Sequence, residues 1–228
     1  MKGLQKAGGI GALVHGLIWP TTLLYFFVVL PAYGFTGPDD LNNPAKVLST
    51  VPNSPILGLF NASDVPFAIT LLLMVLGLYD RLHAGSPGLV RIATASGLVA
   101  TVLFLASGMI SFIAVPELAS SYLQNQATAA AAYLAVNAML SGLVSAATFT
   151  YGGWALLASW AALRTGGLPR GLNYLGLLLG GASILLSFIY AVGALATVVA
   201  VVWALWLGLV LLRDRSSEAT ALAPARTA

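Results

Sequence analysis

The chain has 228 residues, of which 59% are hydrophobic and 7% charged, with a formal net charge of +3. Soluble domains carry about 25% charged residues, so a water-facing surface cannot be built from this composition and lipid must be the solvent for most of it. The basic residues are dispersed rather than clustered, which argues against a nucleic-acid partner, and the lack of cysteine excludes disulfides, zinc thiolate sites, iron–sulfur clusters and cysteine nucleophiles.

A helix needs about 20 apolar residues to cross the hydrocarbon core. The first apolar run, about Gly8 to Tyr33, follows Lys2 and Lys6 as in a signal peptide, but it exceeds the ~7–15 residues of a secretory core. It reads as a retained anchor, with span one over about Gly9–Leu30. The outer loop 34–63 holds Asp39, Asp40, Asn42, Asn43 and four prolines. Asn43-Pro44 ahead of Ala45–Val51 signals a short capped helix, lying on the outer interface or folded over the bundle. Span two, about Val65–Tyr79, is short for a crossing. Asp64 is its expected N-cap, with Pro66 in the first turn.

Span three, about Leu89–Val115, is expected to stop at Pro116, and Pro116–Gln124 to form a second short outer helix. Span four lies within Thr128–Leu163, which would reach about 54 Å as one helix. Its start is expected to project outside the membrane, because Gln124, Asn125 and Gln126 mark a polar edge; the alternative is a bend at Gly152-Gly153. Spans five and six lie within Leu172–Tyr190 and Ala194–Leu212. As a single helix, Leu172–Leu212 would extend about 60 Å, twice the bilayer core, so a hairpin near Gly193 is expected. The segment 213–228 reads as a disordered cytoplasmic tail.

Charge sets the orientation. Lys2, Lys6, Arg81, Arg91, Arg164, Arg170, Arg213, Arg215 and Arg226 fall on one side of these spans, and Lys46 alone on the other. The positive-inside rule then places both termini in the cytoplasm. The expected fold is all-α: one six-transmembrane-helix bundle over 1–212, N-in and C-in, with short interfacial helices in the outer loops, in a bacterial cytoplasmic membrane. Lipid gives helices no hydrophobic reason to associate, so small residues must let them pack closely. Gly176 and Gly180, continued by Gly181 and Ala182, offer such a face. So do Ser141, Gly142 and Ser145, and also Gly8, Gly9, Gly11 and Gly16. Packing within the bundle is the plainer use of these faces; a homodimer or membrane-complex contact is the other.

His15 is the one clear ionisable group within the spans, and intramembrane ionisable groups are functional candidates by default. Pro20 cannot donate to the carbonyl of Gly16, leaving that oxygen open to a side chain, water or ligand. A ligand site is therefore read around His15, Gly16, Trp19 and Pro20, with Asn137 and Tyr151 from span four. The plainer reading is a histidine bonded within the bundle and a simple proline kink, and it is preferred because no second ionisable group is evident at similar depth. Ser107, Ser111, Thr148, Tyr174, Ser183, Ser187 and Tyr190 extend the polar inventory toward a small outer-facing cavity. Haem would need a second histidine in the bundle; the other one, His83, falls in the loop after span two. No cofactor and no metal ligand set is read.

Enzyme signatures are absent: no HExxH, GxSxG, P-loop or post-strand GxGxxG. A Ser–His pair from His15 with Ser107 or Ser145 has no support in spacing, and no membrane-depth carboxylate is evident for a dyad or for ion coupling. The expected role is a non-enzymatic accessory protein or a binder of a lipid or small apolar ligand, with a small-molecule transporter using the His15/Pro20 region as the alternative.

Gly153-Trp154-Ala155-Leu156-Leu157, then Arg164-Thr165-Gly166-Gly167-Leu168-Pro169-Arg170 and Leu172–Gly176, resemble the span–loop–span segment of domain-of-unknown-function family 4386. Asn43-Pro44-Ala45, Leu57-Gly58-Leu59-Phe60 and Leu78-Tyr79-Asp80-Arg81-Leu82 are similar as well, so the likeness covers most of the chain. It implies a prokaryotic integral membrane protein, and it transfers no site residues.

Overall fold

The computed structural model describes residues 2–54, 62–188 and 193–213, and every regular element among them is helical. Helix α1 (Lys2–Leu24) runs on through a π-helical turn, Tyr25–Val29, and a last α turn, Leu30–Ala32. The outer loop contributes α2 (Pro44–Thr50), whose Asn43 cap accepts from the Lys46 amide at 3.2 Å. Then follow α3 (Asp64–Leu82), α4 (Pro87–Tyr122), α5 (Gln126–Thr165), α6 (Arg170–Leu186) and α7 (Gly193–Leu212).

The stretch Gly3–Ala32 and helices α3, α4 and α5 are each long and apolar enough to cross a membrane, and Arg170–Leu186 and Ala196–Leu212 are shorter apolar helices. Large apolar side chains such as Leu17, Phe27, Val102 and Ile113 stand exposed on the outer faces. In water such surfaces would aggregate; against lipid tails they are solvated. The chain is a multi-pass membrane protein.

The six longer helices form a closed ring. Each packs against its chain neighbours, α1 against α3 and onward to α7, and α7 returns against α1. The crossings rest on glycine. A Cβ on Gly8 would stand 2.7 Å from the Gly77 Cα, and one on Gly152 would stand 2.7 Å from the Gly180 carbonyl, so these helices approach at backbone distance. Gly9, Gly11 and Gly16 are likewise filled by α3 or α7, whereas Gly142 and Gly181, read as packing residues, have no side chain or neighbouring helix within 4 Å.

The basic residues Lys6, Arg81, Arg91, Arg164, Arg170 and Arg213 lie at helix ends that meet at one end of the ring. There Gln5 Nε2 donates to the Leu211 carbonyl at 3.2 Å, and Arg81 Nε to the Gly167 carbonyl at 2.8 Å. Gly166, at φ 67°, caps α5 in the left-handed conformation that glycine adopts without strain.

The expectations for Pro116 and Asp64 are corrected. Helix α4 does not stop at Pro116 but continues to Tyr122, and Pro116–Gln124 is no separate helix. Losing one backbone bond costs about 3 kcal/mol in a helix interior. Here the far turns are held by packing, because Val115 and Ala119 join a second core with Tyr25, Leu48 and Tyr133. Asp64 is not a cap: Ser63 occupies that position, and the Asp64 carboxylate turns sideways to the Ser107 hydroxyl at 2.9 Å. Of the two placements expected for α2, on the outer interface or folded over the bundle, the second is found, with α2 packed on α4 and α5. Helix α5 passes unbroken through Gly152-Gly153, and its Asn125 cap accepts from the Thr128 amide at 3.1 Å. Leu57–Phe60, Tyr190 and the tail 214–228 lie outside the described residues.

Candidate functional site

A cavity of about 360 Å³ lies on the axis of the ring, and all six longer helices line it. Its wall takes Trp19 from α1, Phe67 from α3, Phe104 from α4, Tyr151 from α5, Leu179 from α6 and Ala200 from α7. The aromatic rings hold one another at defined angles. Phe67 meets Phe104 at 4.7 Å and Trp19 at 5.4 Å between centroids, both edge-on. Below them Tyr151 leans on Trp154, which meets Trp203 edge-on at 5.6 Å. Edge-to-face pairs are the favoured arrangement of ring quadrupoles and fix the rings in place.

His15 sits one layer behind this wall and is fully buried. Its ring packs on Phe67 at 4.1 Å and lies parallel to Tyr151 at 6.1 Å, while Nδ1 meets Thr70 Oγ1 at 3.0 Å. Three polar atoms in this group have no hydrogen-bond partner among the described residues: His15 Nε2, Trp19 Nε1 and the Tyr151 hydroxyl. Buried polar groups are nearly always paired, and each unmade bond costs about 1–3 kcal/mol. Three at one place, around a void large enough to fill, point to an occupant. His15 and Trp19 are four residues apart on one helix face, the spacing that brings side chains together.

A second cavity, of about 540 Å³, lies between the end of α1, α2, α4 and α5, toward the end of the ring away from the basic residues. It shares Phe26, Ser63, Asp64 and Val144 with the central cavity. Serines 107, 111, 141 and 145 line it, and Asn137 donates to Asn42 Oδ1 at 2.8 Å at its rim. Tyr133 donates to the Leu41 carbonyl at 2.7 Å, strapping the outer loop across the same rim.

Asp64 is the residue that sequence reasoning missed. The sequence reads it as the N-cap at the start of span two and shows no intramembrane acid. Helices α4 and α5 run several turns past that start, so the carboxylate is recessed between them. Gly108 makes the approach possible: a Cβ there would stand 2.9 Å from the Val65 nitrogen and 3.0 Å from the Asp64 Cβ.

The structure thus brings His15, Trp19 and Tyr151 together and puts Asn137 in the neighbouring cavity. Gly16 faces Leu205 of α7 and serves packing, and Pro20 lines neither cavity. Thr148 and Ser183 line the central cavity and Ser107 and Ser111 the outer one, while Tyr174 is exposed and Ser187 bonds to the Ser145 and Ser183 carbonyls. His15 pairs with threonine rather than with Ser107 or Ser145. His83 stacks on Tyr79 at 5.1 Å between ring centroids, at the end of α3. No group of three or more metal-binding side chains gathers among the described residues.

No curated protein and no solved structure matches the chain. Residues 21–213, which carry Asp64, Phe67, Phe104 and Tyr151, match one family, and the chain belongs to it: Domain of unknown function (DUF4386).

Proposed function

We propose that the protein crosses the membrane six times with both termini in the cytoplasm. On this reading it binds a small, mainly apolar molecule bearing a hydrogen-bonding group in the central cavity, without chemical conversion. The six spans rest on the ring itself, in which α6 and α7 close the same bundle as the four longer helices. The orientation rests on the gathering of basic residues at one end, and on Lys46, the one basic residue at the other end among the described residues, being held by Asp40 at 2.7 Å.

The ligand reading is carried by one observation: Trp19 and Tyr151, whose Nε1 and hydroxyl are buried without a hydrogen-bond partner among the described residues, both belong to the wall of an aromatic cavity that every longer helix helps to line. Small-molecule sites are concave, mostly apolar and carry a few placed polar groups. Native mass spectrometry of the full chain from mild detergent tests this. A bound species of a few hundred daltons is expected on the wild type and depleted in a Trp19→Phe, Tyr151→Phe double variant. Repeated preparations of bare protein that accept no added apolar compound would overturn it.

A transport role has one observation in its favour. The first helix with its continuation contributes to both cavities and contains Pro20 and a π-helical turn, a feature found mostly at functional sites. Uptake or efflux that is unchanged in a His15→Leu variant for every solute moved by the wild type would remove the His15 mechanism.

A further inference from the structure

Resting on the ligand reading above, we infer that the occupant of the central cavity is a monovalent organic cation: an amine or quaternary ammonium on an apolar, acceptor-bearing body. Asp64 stands where the two cavities meet, and its one contact among the described residues is the Ser107 hydroxyl on a single carboxylate oxygen. Among the described residues no lysine or arginine pairs with it, in contrast to Asp40, which holds Lys46. A carboxylate in a low-dielectric wall without a counter-charge favours a ligand that brings one, and repels anions.

The rest of the wall fits the same chemistry. Trp19, Phe26, Phe67, Phe104 and Tyr151 present aromatic rings to the cavity that Asp64 borders, and aromatic faces attract cations, most strongly where water is excluded. A wall built only for hydrocarbon would need no acid. A wall built for a metal ion would surround the acid with further oxygen ligands rather than rings. The Tyr151 hydroxyl and Trp19 Nε1, without partners among the described residues, supply donors for an ether or carbonyl at the other end of the ligand.

The test uses two probes of one shape: 4-methoxybenzyltrimethylammonium and its uncharged carbon isostere, 4-methoxy-neopentylbenzene. Each is titrated calorimetrically into the full chain in lipid nanodiscs, with empty nanodiscs as the blank. The wild type is expected to bind the cation at least tenfold more tightly than the isostere. Asp64→Asn should remove that preference while leaving the isostere's affinity unchanged, and Tyr151→Phe should weaken both probes alike. Equal affinity of the two probes for the wild type would overturn the inference. So would an Asp64→Asn protein that keeps the preference. The wild-type comparison needs no variant, so it stands even where Asp64→Asn fails to fold. If both probes bind equally and Tyr151→Phe weakens both, the cation assignment falls and the ligand site survives; if neither binds and native mass spectrometry finds no occupant, both fall.

Discussion

The Nδ1 of His15 lies 3.0 Å from the Thr70 hydroxyl, and that hydroxyl lies 2.9 Å from both the Pro66 and the Phe67 carbonyls. A threonine hydroxyl has one proton. Giving it to a backbone carbonyl of its own helix leaves the oxygen as an acceptor toward His15, so the imidazole proton belongs on Nδ1. Nε2 is then a bare lone pair within the bundle. Nitrogen-15 spectra of the labelled protein should show the Nδ1–H tautomer. Thr70→Val should strand the ring N–H and lower stability by about 1–3 kcal/mol, read as a lower melting temperature in detergent.

The Tyr151 hydroxyl gives the sharpest separation of ligand binding from stability. It is buried and has no hydrogen-bond partner among the described residues, so deleting it removes a desolvated group rather than a bond within the protein. Tyr151→Phe should therefore leave the ligand-free melting temperature unchanged or raise it, by an amount equivalent to about 1 kcal/mol. The same variant should lose affinity for whatever fills the cavity. A structural tyrosine would behave in the opposite way, melting earlier with no change in binding.

Gly108 is small because Asp64 and Val65 lean on it. An added Cβ would come within 3.0 Å of atoms of both residues, and backbone atoms give way only by moving the helix. Gly108→Ala should push the start of α3 from α4, loosen the Asp64–Ser107 bond and cost about 1–3 kcal/mol. Gly142→Ala, on a face with no neighbour within 4 Å, should melt like the wild type; the two melting curves measured side by side check the contrast.

Helix existence and charge order were legible because periodic apolar runs and capping residues are local signals: Asn43 caps α2 and Gly166 ends α5 as their types require. The close face of α1 was legible too, since four glycines in nine residues have little other use. Helix ends were less so. Pro116 is a local stop signal that Val115 and Ala119 override by packing against residues distant in sequence. The half-read site has the same cause. His15, Trp19 and Tyr151 stood out as polar groups in apolar runs, but Phe67 and Phe104 look like any core residue until the ring closes. Asp64 looks like a surface cap until α4 and α5 are seen to overshoot it.

Topology offers a direct check on the ring. Reporter fusions after Arg81, Arg164 and Arg213 should all report the cytoplasm, because these residues share one end of the bundle, and a fusion at Gln124 should report the opposite side. A periplasmic signal at any of the three arginines would break the six-span arrangement.

The outer loop carries a pH-dependent clasp. Asp40 accepts from the Lys46 ammonium at 2.7 Å, from the Thr36 amide and from the Thr36 hydroxyl at 2.9 Å. The Lys46 hydrogen bond, followed by those from Thr36, holds the carboxyl down from an ordinary value of 3.8 to about 2. A folded value below the unfolded one stabilises the ionised form. The clasp is therefore fully present above about pH 4 and is lost as the pH falls from there toward 2. Carbon-13 spectra of the Asp40 carboxyl should titrate with a midpoint near 2 in the wild type. In Lys46→Met the midpoint should rise toward 3.8, because the largest cause is gone while Thr36 remains. A midpoint that does not move in that variant would mean that the lysine is not what holds the carboxylate. The charge on Lys46 would then be free to count against the orientation drawn from the other basic residues.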